Sequence, residues 1–529
     1  MTGRRLPAGI NRAVPAVLVA LMAGLLLWEA WGDSLTYDEV RYIRAGYCAV
    51  TQGVIDVEPT NPAGFKLLGG AGVVALGPAV AARCDGTDAR PFFAVPPATL
   101  RSLQFSARLP IVALALLLAA LVYAWARALF GDLAGAAALA LMATEPTILG
   151  HGHLVTGDLA LTLGVVGCLA AHWRASTTGR RRWLVISGVA LGFALLNKVS
   201  ALYLLPILLL VDAAQPRPGP GRLRRAVAGS ALVAAVGWAV VCATYLPFHT
   251  SAAATEAWPL SWLLPQSWLT GVQFQLNHVT AGSTYNYLNG ETRVGRGFWT
   301  YFLEALALKT TLGMLLMVVL ALALTVRRRV TALVLYAWLP ALVVVVAATA
   351  GGIDIGVRYI LPVYPLFALG AASLFSGMVG GRGRMAAGAL LVLAVGSSLL
   401  HAPGHIGYFN EAAGRRPETY LADSNLDWGQ DAWRLRDWWE AHGRPGLSTA
   451  YFGTLPLRDY GIATRDIALQ APPPAGAIAL SLTQVTAYGA GADAGFGVLV
   501  QCAGERVGTS VLVTSMPLKG PCAVAHAAR

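Results

Sequence analysis

The sequence predicts an all-α polytopic membrane protein, with about eleven transmembrane helices, that ends in a small extracytoplasmic α/β domain. Three observations carry this. The 529 residues are 56% hydrophobic and only 12% charged, where a soluble domain averages about 25% charged, and mean hydropathy is +0.58. Apolar runs approach the roughly 20 residues that a bilayer crossing needs. Arginines cluster between these runs on alternate sides, as the positive-inside rule requires. The net charge of +12, from 39 Lys and Arg against 27 Asp and Glu, is therefore a topological signal. No nucleic-acid partner is expected, because the basic residues follow the spans and form no single basic face.

The elements follow in order. Residues 1–13 form a basic cytoplasmic N-terminus, with Arg4, Arg5 and Arg12 ahead of the first apolar run. No small-residue cleavage site follows, so the run reads as an uncleaved anchor. A transmembrane domain is expected over 14–402, with spans at about 14–31, 106–127, 132–149, 157–173, 183–197, 199–213, 225–246, 308–326, 330–350, 359–379 and 384–402. Two of these are short and meet at Asn197-Lys198. Keeping them separate preserves the charge bias, since merging them would invert everything downstream. The inner connections then carry the basic groups around Arg127, Arg181, Arg224, Arg328 and Arg384.

Three regions lie outside. In 32–105, a Gly-rich apolar stretch at 64–82 reads as a helix along the membrane surface. The loop 247–307 is rich in interfacial aromatics, among them Trp258, Trp262, Trp268, Tyr285, Tyr287, Trp299 and Tyr301. The region 403–529 holds a helix candidate at 430–442 and β-like runs at 448–452, 477–482, 497–501 and 510–514, broken by Pro472-Pro473-Pro474. If these regions face an oxidising compartment, Cys48–Cys84 and Cys502–Cys522 are expected disulfides. Cys168 and Cys242 lie in apolar runs, as small hydrophobes.

Ionisable residues gather at this outer face. Asp38 and Glu39 are adjacent acids just past the first span. A carboxylate there can accept a proton from an attacking hydroxyl, hold a divalent cation, or simply cap a helix. Lys66 follows Asn61-Pro62-Ala63 in the same loop. His151, His153 and Asp158 open a later span, Lys198 sits between the two short spans, Lys309 opens another, and Asp354 and Arg358 precede Tyr359. Ionisable groups at membrane depth are functional candidates by default. Carboxylates suit activation of an acceptor, and Lys and Arg suit a lipid phosphate. His151 and His153, two apart, would lie on different faces of a helix, which favours interfacial hydrogen bonding over metal ligation. Lys309 has the competing reading of a snorkelling side chain. Asp423 to Asp427 resembles the start of a calcium loop, but Trp428 stands where Gly is needed and Arg434 where Glu is needed. Asp427 is therefore expected to N-cap the following helix.

The chain resembles the GT-C superfamily of polyprenyl-phosphate-sugar-dependent glycosyltransferases. The nearest branch is the bacterial one related to protein O-mannosyltransferases and the lipid A aminoarabinose transferase. The residues that carry the resemblance are Tyr37-Asp38-Glu39, Leu154-Val155-Thr156-Gly157-Asp158, Asn197-Lys198-Val199-Ser200-Ala201, Tyr287-Leu288-Asn289-Gly290, Trp299-Thr300-Tyr301-Phe302, Leu308-Lys309-Thr310, Arg358-Tyr359-Ile360-Leu361-Pro362 and Ser424-Asn425-Leu426-Asp427-Trp428-Gly429-Gln430-Asp431. Their order along residues 14–460 makes the likeness specific. It implies Asp38 as general base, supported by Glu39, with Asp158 as the second acidic position. It implies Lys198 and Arg358 on the carrier phosphate, with Lys66 and Lys309 behind them, and a pocket including Tyr37, His153, Asn289 and Tyr359. No cofactor is certain; a divalent cation on Asp38, Glu39 and Asp158 is the candidate metal site. The partners implied are a polyprenyl-phosphate-linked sugar donor, a lipid, glycan or protein acceptor, and the bilayer of the inner membrane. The sequence departs from the family at Asn61-Pro62-Ala63, where the family often has His-Pro-Pro, and at 281–285, where it often has a His-rich stretch; His278 is the nearby histidine. The competing classes are a lipid or sugar-lipid flippase, which would place its charges at mid-membrane with inverted repeats, and a catalytically idle envelope-binding protein.

Overall fold

The computed structural model describes residues 8–81, 83–215, 222–249, 263–281, 284–469, 474–488 and 504–516. Helices α1 (Ala8–Gly32), α2 (Glu39–Gln52), α3 (Gly64–Leu76), α4 (Pro97–Phe130), α5 (Asp132–Thr144), α6 (Pro146–His151), α7 (Gly157–Thr178), α8 (Arg182–Leu195), α9 (Leu204–Ala214) and α10 (Arg222–Tyr245) come first. Then follow α11 (Gln266–Ala281), a hairpin of β1 (Tyr285–Leu288) and β2 (Glu291–Val294), α12 (Tyr301–Lys309) and α13 (Leu312–Arg328). Helix α14 (Thr331–Leu333) runs through a π turn into α15 (Leu339–Gly351), and α16 (Val363–Ala372) and α17 (Gly381–Leu399) complete the helical body.

Every expected apolar run is helical. Among the described residues, five units are long and apolar enough to cross a bilayer: those in α1, α4, α7, α10 and α14–α15. The pair α12–α13 makes a sixth if its 115° bend is counted within one span. Helices α3, α5, α8, α9 and α16 are shorter apolar helices, whose length alone does not define a span. These helices make the chain a membrane protein. Leu316, Val319 and Leu322 on α13 and Val392 and Leu393 on α17 stay exposed, as lipid-facing side chains do.

Local sequence sets the boundaries. Pro97 opens α4, where its missing N–H costs nothing. Thr311 caps α13 by accepting from the Met314 N–H at 3.3 Å. Gly179 ends α7 at φ +68°, a left-handed conformation that suits glycine. Between α2 and α3 the backbones touch: a Cβ on Gly46 would lie 1.8 Å from the Lys66 carbonyl oxygen. This contact, with a Cys48–Cys84 disulfide of Cα separation 5.7 Å, folds the first outer loop onto itself. Helix α3 therefore packs one face, including Phe65, Gly69 and Val73, into the body, and leaves Val74 and Leu76 exposed.

The C-terminal region comprises α18 (Ala432–Ala441), β3 (Leu447–Ala450), β4 (Thr464–Asp466), β5 (Gly476–Ser481), β6 (Glu505–Val507) and β7 (Val511–Met516). Its sheet order is β4-β3-β5-β7-β6. Strand β3 runs parallel to both β4 and β5, and β7 is antiparallel to β5 and β6. The helix expected at 430–442 and three of the four β-like runs are thus present. The run at 497–501 and the Cys502–Cys522 pair lie outside the described residues, as do Trp258 and Trp262.

One segment seals the sheet onto the helical body. Ser34 and Tyr37 donate backbone N–H bonds to the carbonyls of Gln430 (2.8 Å) and Trp428 (2.9 Å). The Asn425 side chain accepts from Val357 N–H at 2.8 Å. The expectation that Asp427 caps α18 is corrected here. Its oxygens accept instead from the Gly429 N–H at 3.2 Å and the Thr483 N–H at 3.0 Å, and Asp431 occupies the cap position.

Candidate active site

Asp38 stands at the start of α2, its side chain 14% exposed. Arg41, one turn on, donates to Asp38 Oδ1 at 3.0 Å. From 320 residues away in sequence, Arg358 brings Nη2 to 3.5 Å from Asp38 Oδ2. The same guanidinium places Nη1 3.6 Å from Asp158 Oδ2. Asp158, the second residue of α7, is buried and ion-paired through Oδ1 with Lys198. Lys198 Nζ in turn lies 4.4 Å from the centre of the Tyr359 ring. The four charged residues form one chain, Asp38–Arg358–Asp158–Lys198, drawn from α2, the turn before α16, α7 and the α8–α9 junction.

Arg358 is held by more than charge. Its Nε donates to Ser424 Oγ at 3.1 Å, and its guanidinium covers the Trp428 ring at 4.1 Å. Burial pulls its pKa down, but Tyr359, Asp158 and Asp38 outweigh burial and hold it above the ordinary guanidinium value.

Two cavities flank this chain. The first, about 470 Å³, mixes charged and aromatic side chains and is lined by Tyr37, Asp38, Arg41, Arg358, Asp423, Trp428 and Tyr488 among others. The second, about 320 Å³, is mainly apolar and runs between the turn before α9, α11 and α15, with Lys198 and Tyr359 in its lining beside Tyr203, Leu276, Val344 and Ala348. A charged cavity and an apolar groove, with Arg358 in the wall of the first and Lys198 in that of the second, suit an amphiphile with an anionic junction.

Several expected site residues stand elsewhere. Glu39 turns away from Asp38 and is fully buried. Arg108 binds it twice, at 3.0 and 2.6 Å, and Thr36 and Val155 N–H groups also donate to it. Its carboxylate fastens the first loop to α4. Lys66 gives its ammonium to Glu58 Oε2 (3.0 Å), the Glu58 carbonyl (2.5 Å) and the Asn61 carbonyl (2.7 Å), which uses its three donors. Lys309 is buried on the carbonyls of Ile406 (2.9 Å) and Asn425 (2.5 Å), and so does not snorkel. His153 bridges the Leu149 carbonyl and Asp33 Oδ2, each at 3.1 Å, away from both cavities. Asn289 sits at the β1–β2 turn and donates to Glu304 Oε2 at 2.7 Å. Tyr37 and Tyr359 do line the two cavities.

The donor set Asp38, Glu39 and Asp158 does not fit a metal ion. Arg108 and two backbone N–H groups occupy the Glu39 oxygens, and Lys198 occupies one of Asp158. Among the described residues, the acid–histidine group with ligand spacing is Glu29, Asp33 and His153, with atoms within 4.8 Å of one another. Protein charges already face that group: Arg434 binds Asp33 at 2.7 Å, and His405 pairs with Glu29.

The sequence reading also passed over contributors to the Asp38 cavity. Asp423 lies at φ +54°, and burial pushes its pKa up to about 6, with Arg358 opposing. Trp428 sits under Arg358, while Phe452, Gln484 and Tyr488 come from the sheet. Asp423 and Trp428 adjoin or belong to the 424–431 motif, which was a usable signal. The last three had none.

Residues 98–258 match the family model described as dolichyl-phosphate-mannose-protein mannosyltransferase. This stretch contains Asp158 and Lys198 but neither Asp38 nor Arg358. No curated protein matches the chain. Among solved structures, ArnT from Cupriavidus metallidurans in the apo state is similar at 20% identity and TM-score 0.46, over 74% of this chain and 63% of that chain. This chain thus covers somewhat less than two thirds of that ArnT chain. ArnT bound to undecaprenyl phosphate is similar at 15% identity and TM-score 0.46, over 96% and 99%. An oligosaccharyltransferase from Archaeoglobus fulgidus, tethered with an acceptor peptide, is similar at 13% identity and TM-score 0.48, over 91% and 71%. At this level of likeness none of the three bears on the chemistry.

Proposed function

We propose that this chain, which matches the dolichyl-phosphate-mannose-protein mannosyltransferase model over residues 98–258, is a GT-C-type membrane enzyme that moves a sugar from a polyprenyl-phosphate carrier to an acceptor at the outer face of the inner membrane. The N-terminus is cytoplasmic and the C-terminal α/β domain, 403–529, extracytoplasmic. The observation that carries this reading is Arg358, within 3.5 Å of Asp38 and 3.6 Å of Asp158, in the wall of the Asp38 cavity and next in sequence to Tyr359 of the apolar groove.

The polyprenyl tail lies in the groove, and its phosphate meets Lys198 and Arg358. Asp158 keeps the two cations together. Asp38 takes the proton of the acceptor hydroxyl. The freed oxygen attacks the anomeric carbon, and the bond from that carbon to the phosphate oxygen breaks on the opposite face, so the configuration inverts. The electron pair leaves on the phosphate oxygen, where Arg358 and Lys198 offset the charge. In this scheme Asp38, Glu39 and Asp158 are matched by Lys198, Arg41, Arg358 and Arg108. Sugar and acceptor chemistry are set by the Asp38 cavity.

The test is transfer from a radiolabelled polyprenyl-phosphate sugar in membranes carrying the protein. Asp38→Asn is expected to lower transfer by about 10²–10⁴, the usual worth of a general base, with the protein still folded in the membrane. Near-normal transfer by this variant would remove Asp38 from the base role.

A further inference from the structure

The sheet carries a cavity that the transfer scheme does not use. Strand β3 lies between β4 and β5, parallel to both. The chain leaves β3 toward β4 and then crosses back to β5, so the loops after these strands diverge. A crevice at such a switch point, beyond the carboxyl ends of parallel strands, is where α/β sheets bind ligands. Here it measures about 540 Å³ and is lined by Tyr451, Thr454, Arg458, Asp466, Gln484 and Tyr488 among others.

The crevice opens into the Asp38 cavity. Gly453, Gln484 and Tyr488 line both. A row of rings follows the passage: Tyr37 stacks on Phe452 at 5.2 Å and 12°, Phe452 on Tyr488 at 5.6 Å and 27°, and Tyr488 meets Tyr285 at 5.4 Å. Tyr37, Tyr285 and Tyr488 are 40%, 48% and 41% exposed. An interfacial belt would turn such rings toward lipid, whereas Tyr37 and Tyr488 share their cavity with Asp38 and Arg358.

We propose that this crevice binds an uncharged polyhydroxylated acceptor, a glycan chain, and leads its terminal hydroxyl to Asp38. The proposal rests on the transferase reading above. In the crevice wall the rings are Tyr451 and Tyr488, which can meet the C–H faces of sugar rings, and Asp466 and Gln484 offer acceptors and donors to hydroxyls. The lining does not favour an anion. Arg90 is bound to Asp88 at 2.8 Å, and the Asp466 carboxylate also lines the crevice. Nor does it favour a peptide added as an extra strand, because the neighbouring edge strand β4 spans only Thr464–Asp466.

The experiment uses the full chain in lipid nanodiscs, without donor, so it stands or falls apart from the transfer assay. Mannohexaose, maltohexaose, cellohexaose and a Ser/Thr-rich peptide are each tested by saturation-transfer NMR. At least one hexasaccharide is expected to bind. Tyr488→Ala should weaken it by about tenfold, the scale of one aromatic contact, while Tyr488→Phe, which keeps the ring, binds as the parent does. Binding of none of the sugars, of the peptide alone, or of a sugar equally by parent and Tyr488→Ala would overturn the proposal.

Discussion

Arg358 faces two carboxylates with one planar group: Nη2 lies toward Asp38 and Nη1 toward Asp158. Its removal leaves both acids under-compensated and takes a cation from the phosphate site. Arg358→Gln is expected to lower transfer by about 10²–10³. Arg358→Lys should restore little, because a single ammonium cannot span both acids. The measurement is the initial rate at saturating donor, and recovery by Lys to parent levels would contradict the two-sided role. Asp427 makes a prediction about stability. Burial pushes its pKa up to about 7, with the Thr483 and Gly429 N–H groups opposing, against about 3.9 in an unfolded chain. The folded state therefore holds the extra proton between these values. Its contribution is intact below the unfolded pKa and is lost as pH rises through the folded one. Asp427→Asn cannot ionise, so its Tm relative to the parent should climb from pH 4 to pH 8, by up to about 1.4 kcal/mol of stability per unit. Parallel Tm curves would refute this.

At the scale of elements, the apolar groove is built by helices that do not follow one another in sequence. Helix α15 supplies Val344, Ala347 and Ala348, and faces Tyr203 before α9 and Leu276 on α11. A tail lying there is sensitive to bulk on α15. Ala348→Trp is expected to raise KM for a long-chain polyprenyl donor by about tenfold, or 1.4 kcal/mol. A farnesyl-length donor, which need not reach so far, should be little affected. Equal losses for both donors would mean that the groove does not hold the tail. The first outer loop is anchored by a different device. The buried Glu39–Arg108 pair ties the start of α2 to the middle of α4, and hydrogen bonds from Ser34 and Tyr37 tie it to the 428–430 segment. Asp38 thus stands on a short helix held at both sides, which lets one carboxylate keep its place at a loop.

At the scale of the whole molecule, the proposed transfer requires the Asp38 cavity and the basic connections to lie on opposite sides of the membrane. Arg181 and Arg328 line neither cavity nor the crevice, whereas Arg458 lines the crevice that shares Gly453, Gln484 and Tyr488 with the Asp38 cavity. With the N-terminus inside, an impermeant maleimide is expected to label Arg458→Cys in intact cells, and Arg328→Cys only after permeabilisation. The opposite pattern would put the cavity in the cytoplasm and remove the proposed donor from reach.

How much of this was legible in the sequence varies by interaction range. Asp38, Asp158, Lys198 and Arg358 were recognisable because ionisable groups at the ends of apolar helices have few structural reasons to be there. Glu39, Lys66, Lys309 and His153 carried the same signal and proved to be internal fastenings. Their partners were Arg108, the Glu58 side chain, carbonyls at 406 and 425, and Asp33. Nothing in the local pattern separates a buried cation paired to carbonyls from one open to a ligand, since the difference lies in contacts that can span 116 residues. By itself the sequence determined the helices and the membrane, because hydrophobic length acts locally along the chain. Only the tertiary structure decided which charges face the cavity, and that the sheet closes over them, because side-chain partners are chosen by packing between distant segments.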